Sequence, residues 1–218
     1  MALKCGIKTR LVARTKESVR RADQLYFRIA LNGGVDNGSG FSPLMNPDRR
    51  DVAAFIFFEI SAQYENFCCE ALEIEVRKRF GVEPKHAVNI MGSSDKGLTG
   101  TMGWGAPDVV QSRAQNLLGK SGFFGRFEDI LGKPTYDTLA HAHKVRNRIA
   151  HGGTKAITDY NRILAQLGVP VRSRRGLSAG RLLMEYPGNV AQGDRWFSRF
   201  ITAYQKVIEE YDRVVVIR

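Results

Sequence analysis

At 218 residues the chain is long enough for one well-filled core and short for two large domains. Its 43% hydrophobic and 25% charged composition excludes wholesale disorder, and three cysteines exclude a disulfide framework. A formal charge of +11 favours a polyanionic partner, nucleic acid or an acidic protein, although a merely basic soluble protein has the same balance.

Residues 1–10 are mixed and basic, without the apolar stretch of a signal peptide. No apolar run approaches the length of a membrane span, so the expected location is the cytoplasm, with no membrane partner. Residues 8–31 are predicted as a basic amphipathic helix with Leu11, Val19, Leu25 and Ile29 among many arginines and lysines. Asn32-Gly33-Gly34 ends it, and 35–47 reads as a Gly/Ser/Pro connector. This arm, 1–47, suits contact with RNA or an acidic partner, and equally a solvated helix packed on the remaining 48–218.

Asp51 is expected to cap a helix reaching Phe80, closed by Gly81. Ile56, Ile60, Tyr64, Phe67, Ala71 and Ile74 step by three and four. A second row, Tyr64, Cys68, Leu72, Val76 and Phe80, steps by four. The resulting arc is wider than one seam and predicts burial on two sides. Cys68 and Cys69 have no metal-ligand spacing and read as helix-interior residues. Glu65 falls about 20° from Leu72 and Val76 in that arc, where a carboxylate needs a partner. Glu75 is also on the apolar side, but nearer the helix end, where it is expected to reach solvent.

Residues 83–125 read as a loop-rich, Gly-rich insertion with a short helix at 107–118. The glycines lack phosphate-loop spacing, so no nucleoside triphosphate site is read there. Phe127-Glu128-Asp129-Ile130-Leu131 looks like a short docking helix. Lys133-Pro134-Thr135 opens a helix running to His151, where Gly152-Gly153 is expected to stop it. Tyr160, Ile163, Leu164 and Leu167 mark a shorter helix, followed by a basic loop at 172–176. Gly193-Asp194 begins a last long helix with Phe197, Phe200, Ile201, Tyr204, Val207, Ile208 and Tyr211 in helical period. The only candidate strand is 214–217, so the predicted class is all-α, a helical bundle.

The 135–151 helix carries the chemistry. Leu139, Ala142, Ile149 and Ala150 make its apolar face, and Arg146 projects onto that same face. A guanidinium there is costly unless a carboxylate or phosphate meets it, whereas Arg148 points away as a surface arginine would. Asn147 and His151, four apart, share the adjacent flank. His151 occupies the final turn, where the helix dipole favours an imidazolium, as suits a proton donor and acceptor near neutral pH. The same letters also suit a plain helix end, with histidine as a capping residue and asparagine as a bridge.

The string Arg146-Asn147-Arg148-Ile149-Ala150-His151-Gly152 resembles the Arg-x4-6-His motif of HEPN (higher eukaryotes and prokaryotes nucleotide-binding) domains, in its RNxxxH form. Over 51–211 the layout is loosely similar: a long first helix, a motif helix before glycine, and a long last helix. The resemblance implies a HEPN-like bundle with an extra N-terminal basic helix and a Gly-rich insertion. It implies a metal-independent endoribonuclease with no cofactor, of bacterial toxin or antiviral-defence type, acting as a homodimer with a composite site. The ribose 2′-OH would attack, leaving a 2′,3′-cyclic phosphate and a 5′-OH. His151 would be the acid or base, Arg146 would stabilise the phosphorane-like charge, and Asn147 would position phosphate or ribose. The implied partners are an RNA substrate and an antitoxin or regulatory protein.

Glu65 then becomes a candidate supporting partner for Arg146, with a hydrogen bond to a buried Tyr or Trp as the other reading. Lys144, Arg148, Arg172, Arg174 and Arg175 suit electrostatic steering of RNA, and each alone equally suits a solvated charge. His141 and His143, two apart, point in different directions, which argues against a shared metal. No GxSxG, HExxH or CxxC occurs. Two further readings stay open: a non-catalytic HEPN module that binds RNA, nucleotide or a partner protein, and a helical nucleic-acid adaptor acting through its basic arm.

Overall fold

The computed structural model describes residues 2–31, 34–36, 41–43, 46–92, 104–185 and 194–215. The fold is all-α. In chain order, α1 (Ala2–Leu25) runs into a π-helical turn at Tyr26–Leu31, and a short antiparallel pair, β1 (Gly34–Asp36) and β2 (Phe41–Pro43), follows. Then come α2 (Asn46–Phe80), α3 (Pro84–Gly92), α4 (Pro107–Leu118), α5 (Phe127–Leu131) and α6 (Lys133–Ala150). The chain continues through α7 (Thr154–Gln166), α8 (Val171–Arg174), α9 (Ala179–Met184) and α10 (Trp196–Val214). No helix among the described residues is long and apolar enough to cross a membrane.

The chain forms two compact units. The first comprises Met1–Glu17, Ala62–Ala140 and Tyr204–Arg218. Its core is aromatic: Tyr64 stacks on Tyr204 at 4.2 Å, Phe67 meets Tyr211 edge-on at 5.5 Å, and Phe123 meets Phe124 and Phe127 edge-on. Such pairs add about 0.5–1.5 kcal/mol each beyond their buried area. The buried Tyr211 hydroxyl donates to the Ala71 carbonyl at 3.0 Å, so burial leaves it satisfied. The first half of α1 packs here through Leu11 and Val12. Buried Lys8 donates from Nζ to the Asp212 and Val215 carbonyls, the latter at 2.6 Å, and pairs with the Asp212 carboxylate at 3.3 Å. Those carbonyls end α10, where helical partners run out and a cation is favoured. Arg14 meets Glu70 at 2.6 Å. Lys16 also lies 3.5 Å from Asp212, so Lys8, Arg14 and Lys16 of the basic arm are engaged within the protein.

The second unit comprises Ser18–Ser61 and His141–Ala203. Tyr26 lies flat on Phe197, centroids 3.7 Å apart, and Phe57 packs against Phe197 and Phe200. Ala142 and Val145 of α6, Ile163 and Leu164 of α7, and Leu182 and Leu183 of α9 complete this core. Gly180 is required by a close approach: a Cβ there would lie 2.1 Å from the Arg50 carbonyl oxygen.

Several boundaries differ from the sequence reading. Helix α2 starts at Asn46, with Asp48 in its first turn, so Asp51 is an interior, exposed residue and not the cap. Pro47 explains the earlier start, since proline is well placed in a first helical turn. Within 83–125, Pro84 opens α3, which buries Ala87 and Met91 four residues apart. The basic stretch expected as a loop begins as the short helix α8, and Val214 is helical. A β pair occupies part of the expected connector. Helix α6 stops without a left-handed glycine. Gly152 and Gly153 are not among the positive-φ residues, and Gly153, at φ −69°, begins α7. Asn32, Gly33, the glycines at 100 and 103, Gly193 and the 216–217 end of the candidate strand lie outside the described residues.

Candidate functional site

Arg146 occupies the next-to-last turn of α6 and is only 7% exposed, on the apolar side where the helical projection puts it. Its guanidinium carbon lies 5.1 Å from the centre of the Phe58 ring, contributed by α2. Cation–π contact in a largely desolvated place is worth up to about 2 kcal/mol, which offsets part of the cost of burying the charge. Nη1 of Arg146 donates to Asn147 Oδ1 at 3.3 Å. The amide of Asn147 in turn meets His143 Nε2 at 2.9 Å.

These two contacts fix one another. Arginine has only donors, so the Asn147 oxygen must face it and the amide NH2 must face His143. His143 Nε2 then accepts, which puts the imidazole proton on Nδ1 in this arrangement. A proton arriving on Nε2 would oppose the amide NH2 and favour a flipped amide, at the expense of the Arg146 bond. Three side chains of α6 are thus linked through hydrogen bonds into one unit.

His151 lies one residue beyond the helix, exposed, with its backbone N–H donating to the Asn147 carbonyl at 2.9 Å. The hydrogen bond of the Asn147 side-chain amide goes to His143, one turn back, and not to His151. Sequence reasoning considered His143 only as a metal ligand and missed this pairing, although an i, i+4 His/Asn spacing was the available signal. Among the described residues no group of three or more His, Cys, Asp or Glu side chains is placed to hold a metal ion.

The proposed basic contacts divide by what they already touch. Lys144 lies 3.5 Å from the Asp159 carboxylate, which Lys155 also meets at 2.8 Å. Hydrogen bonding from Lys155, with Lys144 nearby, holds that carboxyl below its ordinary range. Arg174 donates from Nε to the Val169 carbonyl at 2.7 Å, whereas Arg172 and Arg175 are exposed. Arg148 is half-buried, with Nη1 donating to the His151 carbonyl at 3.4 Å. Glu65 belongs to the first unit and is 5% exposed. Trp104 and Trp196 are buried, the first under the Arg113 guanidinium at 4.9 Å.

Comparison with protein-family models, with curated proteins and with solved structures finds no match for this chain.

Proposed function

We propose that this protein is a metal-independent endoribonuclease of the HEPN kind, with His151 as its proton-transfer group. The observation that carries this reading is the end of α6: an exposed imidazole directly follows a helix whose last two turns hold an internally linked Arg146–Asn147–His143 set, with Arg146 buried and the other two half-buried. A general acid or base must reach substrate, and the groups that set the charge around it must not move. That division matches an exposed His151 beside a fixed neighbour set.

In the proposed reaction the ribose 2′ oxygen attacks phosphorus as His151 takes its proton. The P–O5′ bond then breaks, and the departing 5′ oxygen is protonated by the second His151 of a homodimeric composite site. The products are a 2′,3′-cyclic phosphate and a 5′-OH. Arg148 and the exposed Arg172 and Arg175 would attract the phosphate backbone. Arg146, buried as it is, would act mainly by holding Asn147 and by adding a fixed positive charge. A toxin or antiviral-defence role, restrained by an antitoxin or regulatory protein, and a cytoplasmic location belong to this reading.

The test is incubation of the purified protein with end-labelled RNA in EDTA. Fragments ending in cyclic phosphate, absent with His151→Ala, are the expected result. A requirement for Mg²⁺ would refute the mechanism. One observation favours a second reading, a non-catalytic module that binds RNA, nucleotide or a protein: at 7% exposure Arg146 has little surface left for a phosphate. RNA binding without cleavage would support that alternative.

A further inference from the structure

Beside the motif the second unit has a hollow of about 460 Å³. One wall is a single face of α2, Asp51, Phe55 and Phe58, at spacings of four and three. The last turn of α6, including Arg148, and the start of α9, including Ser178, complete it. Two features tie it to the site. Phe58 carries Arg146 over its ring, and Ala150, also in the lining, directly precedes His151.

Phe55 is the unusual member. At 64% exposure it is the most exposed large aromatic side chain among the described residues, on a helix whose Ile56, Phe57 and Ile60 are buried. The fold gains nothing from leaving that ring in water. Next to it the hollow offers three kinds of contact: an aromatic face, the Asp51 carboxylate as acceptor, and the Arg148 guanidinium as a planar donor. An apolar partner would use the ring but would have to desolvate both charges. An unpaired nucleotide uses all three, stacking its base, donating an N–H to the carboxylate and giving a phosphate to the guanidinium. The volume lies within the usual range for small-ligand sites, and the +11 charge of the chain suits the same polyanion.

We infer that this hollow is a subsite for one unpaired base of single-stranded RNA, stacked on Phe55, which brings the neighbouring phosphodiester to His151. This rests on the RNA-directed reading above and adds to it a base-positioning surface at Phe55. Because Phe55 is exposed and outside the core, its replacement leaves folding intact, which a melting curve checks.

The experiment measures anisotropy of a labelled ten-nucleotide single-stranded RNA, using His151→Ala protein so that the probe stays whole. Adding Phe55→Ala should weaken binding by about 5- to 100-fold, the usual effect of losing one base–aromatic stack. Phe55→Trp should restore affinity, with its fluorescence quenched by RNA, while Phe55→Leu should not, and a duplex of the same sequence should be insensitive to all three. Equal affinity for Phe55→Ala and its parent, or full rescue by leucine, overturns the subsite and leaves the ribonuclease reading standing. A change in oligomeric state without a change in RNA affinity also overturns it, making the hollow an interface between copies. If the parent binds no RNA and the wild type cleaves none, both readings fall.

Discussion

Glu75 gives a prediction whose sign and size follow from its surroundings. Its carboxyl does not reach solvent as its place near the helix end suggests: the 119–124 turn covers it, with Oε2 accepting the Phe123 backbone N–H at 2.8 Å, while Oε1 has no hydrogen-bond partner. The approach depends on Gly122, where a Cβ would lie 2.4 Å from Oε2. Burial pushes the carboxyl up from its ordinary 4.5 to about 7, against the downward pull of the Phe123 and Phe124 amides and of Lys78. Between those two values the folded chain keeps a proton that the unfolded chain has released. Stability from this group is therefore complete below pH 4.5 and is lost as pH rises through about 7. At about 1.4 kcal/mol per pH unit the interval amounts to about 3.5 kcal/mol. Glu75→Gln keeps an acceptor for Phe123 and carries no charge at any pH. Urea unfolding of both proteins from pH 4 to 8.5 should give stabilities that nearly coincide at pH 4, diverge between about pH 4.5 and 7 and run parallel above, with the variant more stable by up to about 3.5 kcal/mol. Taking the difference between the two proteins cancels the groups that they share. A difference that stays constant across the range would refute the argument.

Three further outcomes can be checked. Lys8→Ala removes the cation that joins the end of α10 to α1 and leaves two carbonyls short of a donor, so it should cost about 1–3 kcal/mol in urea unfolding; an unchanged midpoint would count against that role. Gly180→Ala forces a methyl toward the Arg50 carbonyl oxygen, which is backbone and cannot swing aside. Overpacking of this kind costs about 1–3 kcal/mol, read as a lowered melting temperature, and a variant as stable as the parent would contradict the packing. If the proposed RNA cleavage holds and His143 and Asn147 act as one unit, His143→Ala and Asn147→Ala should each slow it, and the double variant should be no slower than the worse single one. Fully additive losses would separate their roles.

Much of the helical framework was legible in the sequence because helix formation is decided within a few residues. The three-and-four spacing of Ile56, Ile60, Tyr64 and Phe67 predicts α2, and the bounds of α4 agree with the expected 107–118. The projection that put Arg146 and Glu65 on apolar faces agrees with their burial, because helical phase is set by the backbone alone. Helix ends were less legible: Pro47 outweighed Asp51 as the start of α2, and the glycines after His151 did not end α6 in the left-handed form.

What the sequence by itself determined is the all-α class and the placement of Arg146, Asn147 and His151 at the end of one helix, since each depends on neighbours up to four positions away. The partners of those helices depended on tertiary structure: Phe58 beneath Arg146, Lys8 at the end of α10, the Phe123 amide on Glu75, and Phe55 left beside a hollow. Each joins residues far apart in the chain. Periodicity gives the direction a side chain faces on its own helix, but only packing in three dimensions decides what it meets there.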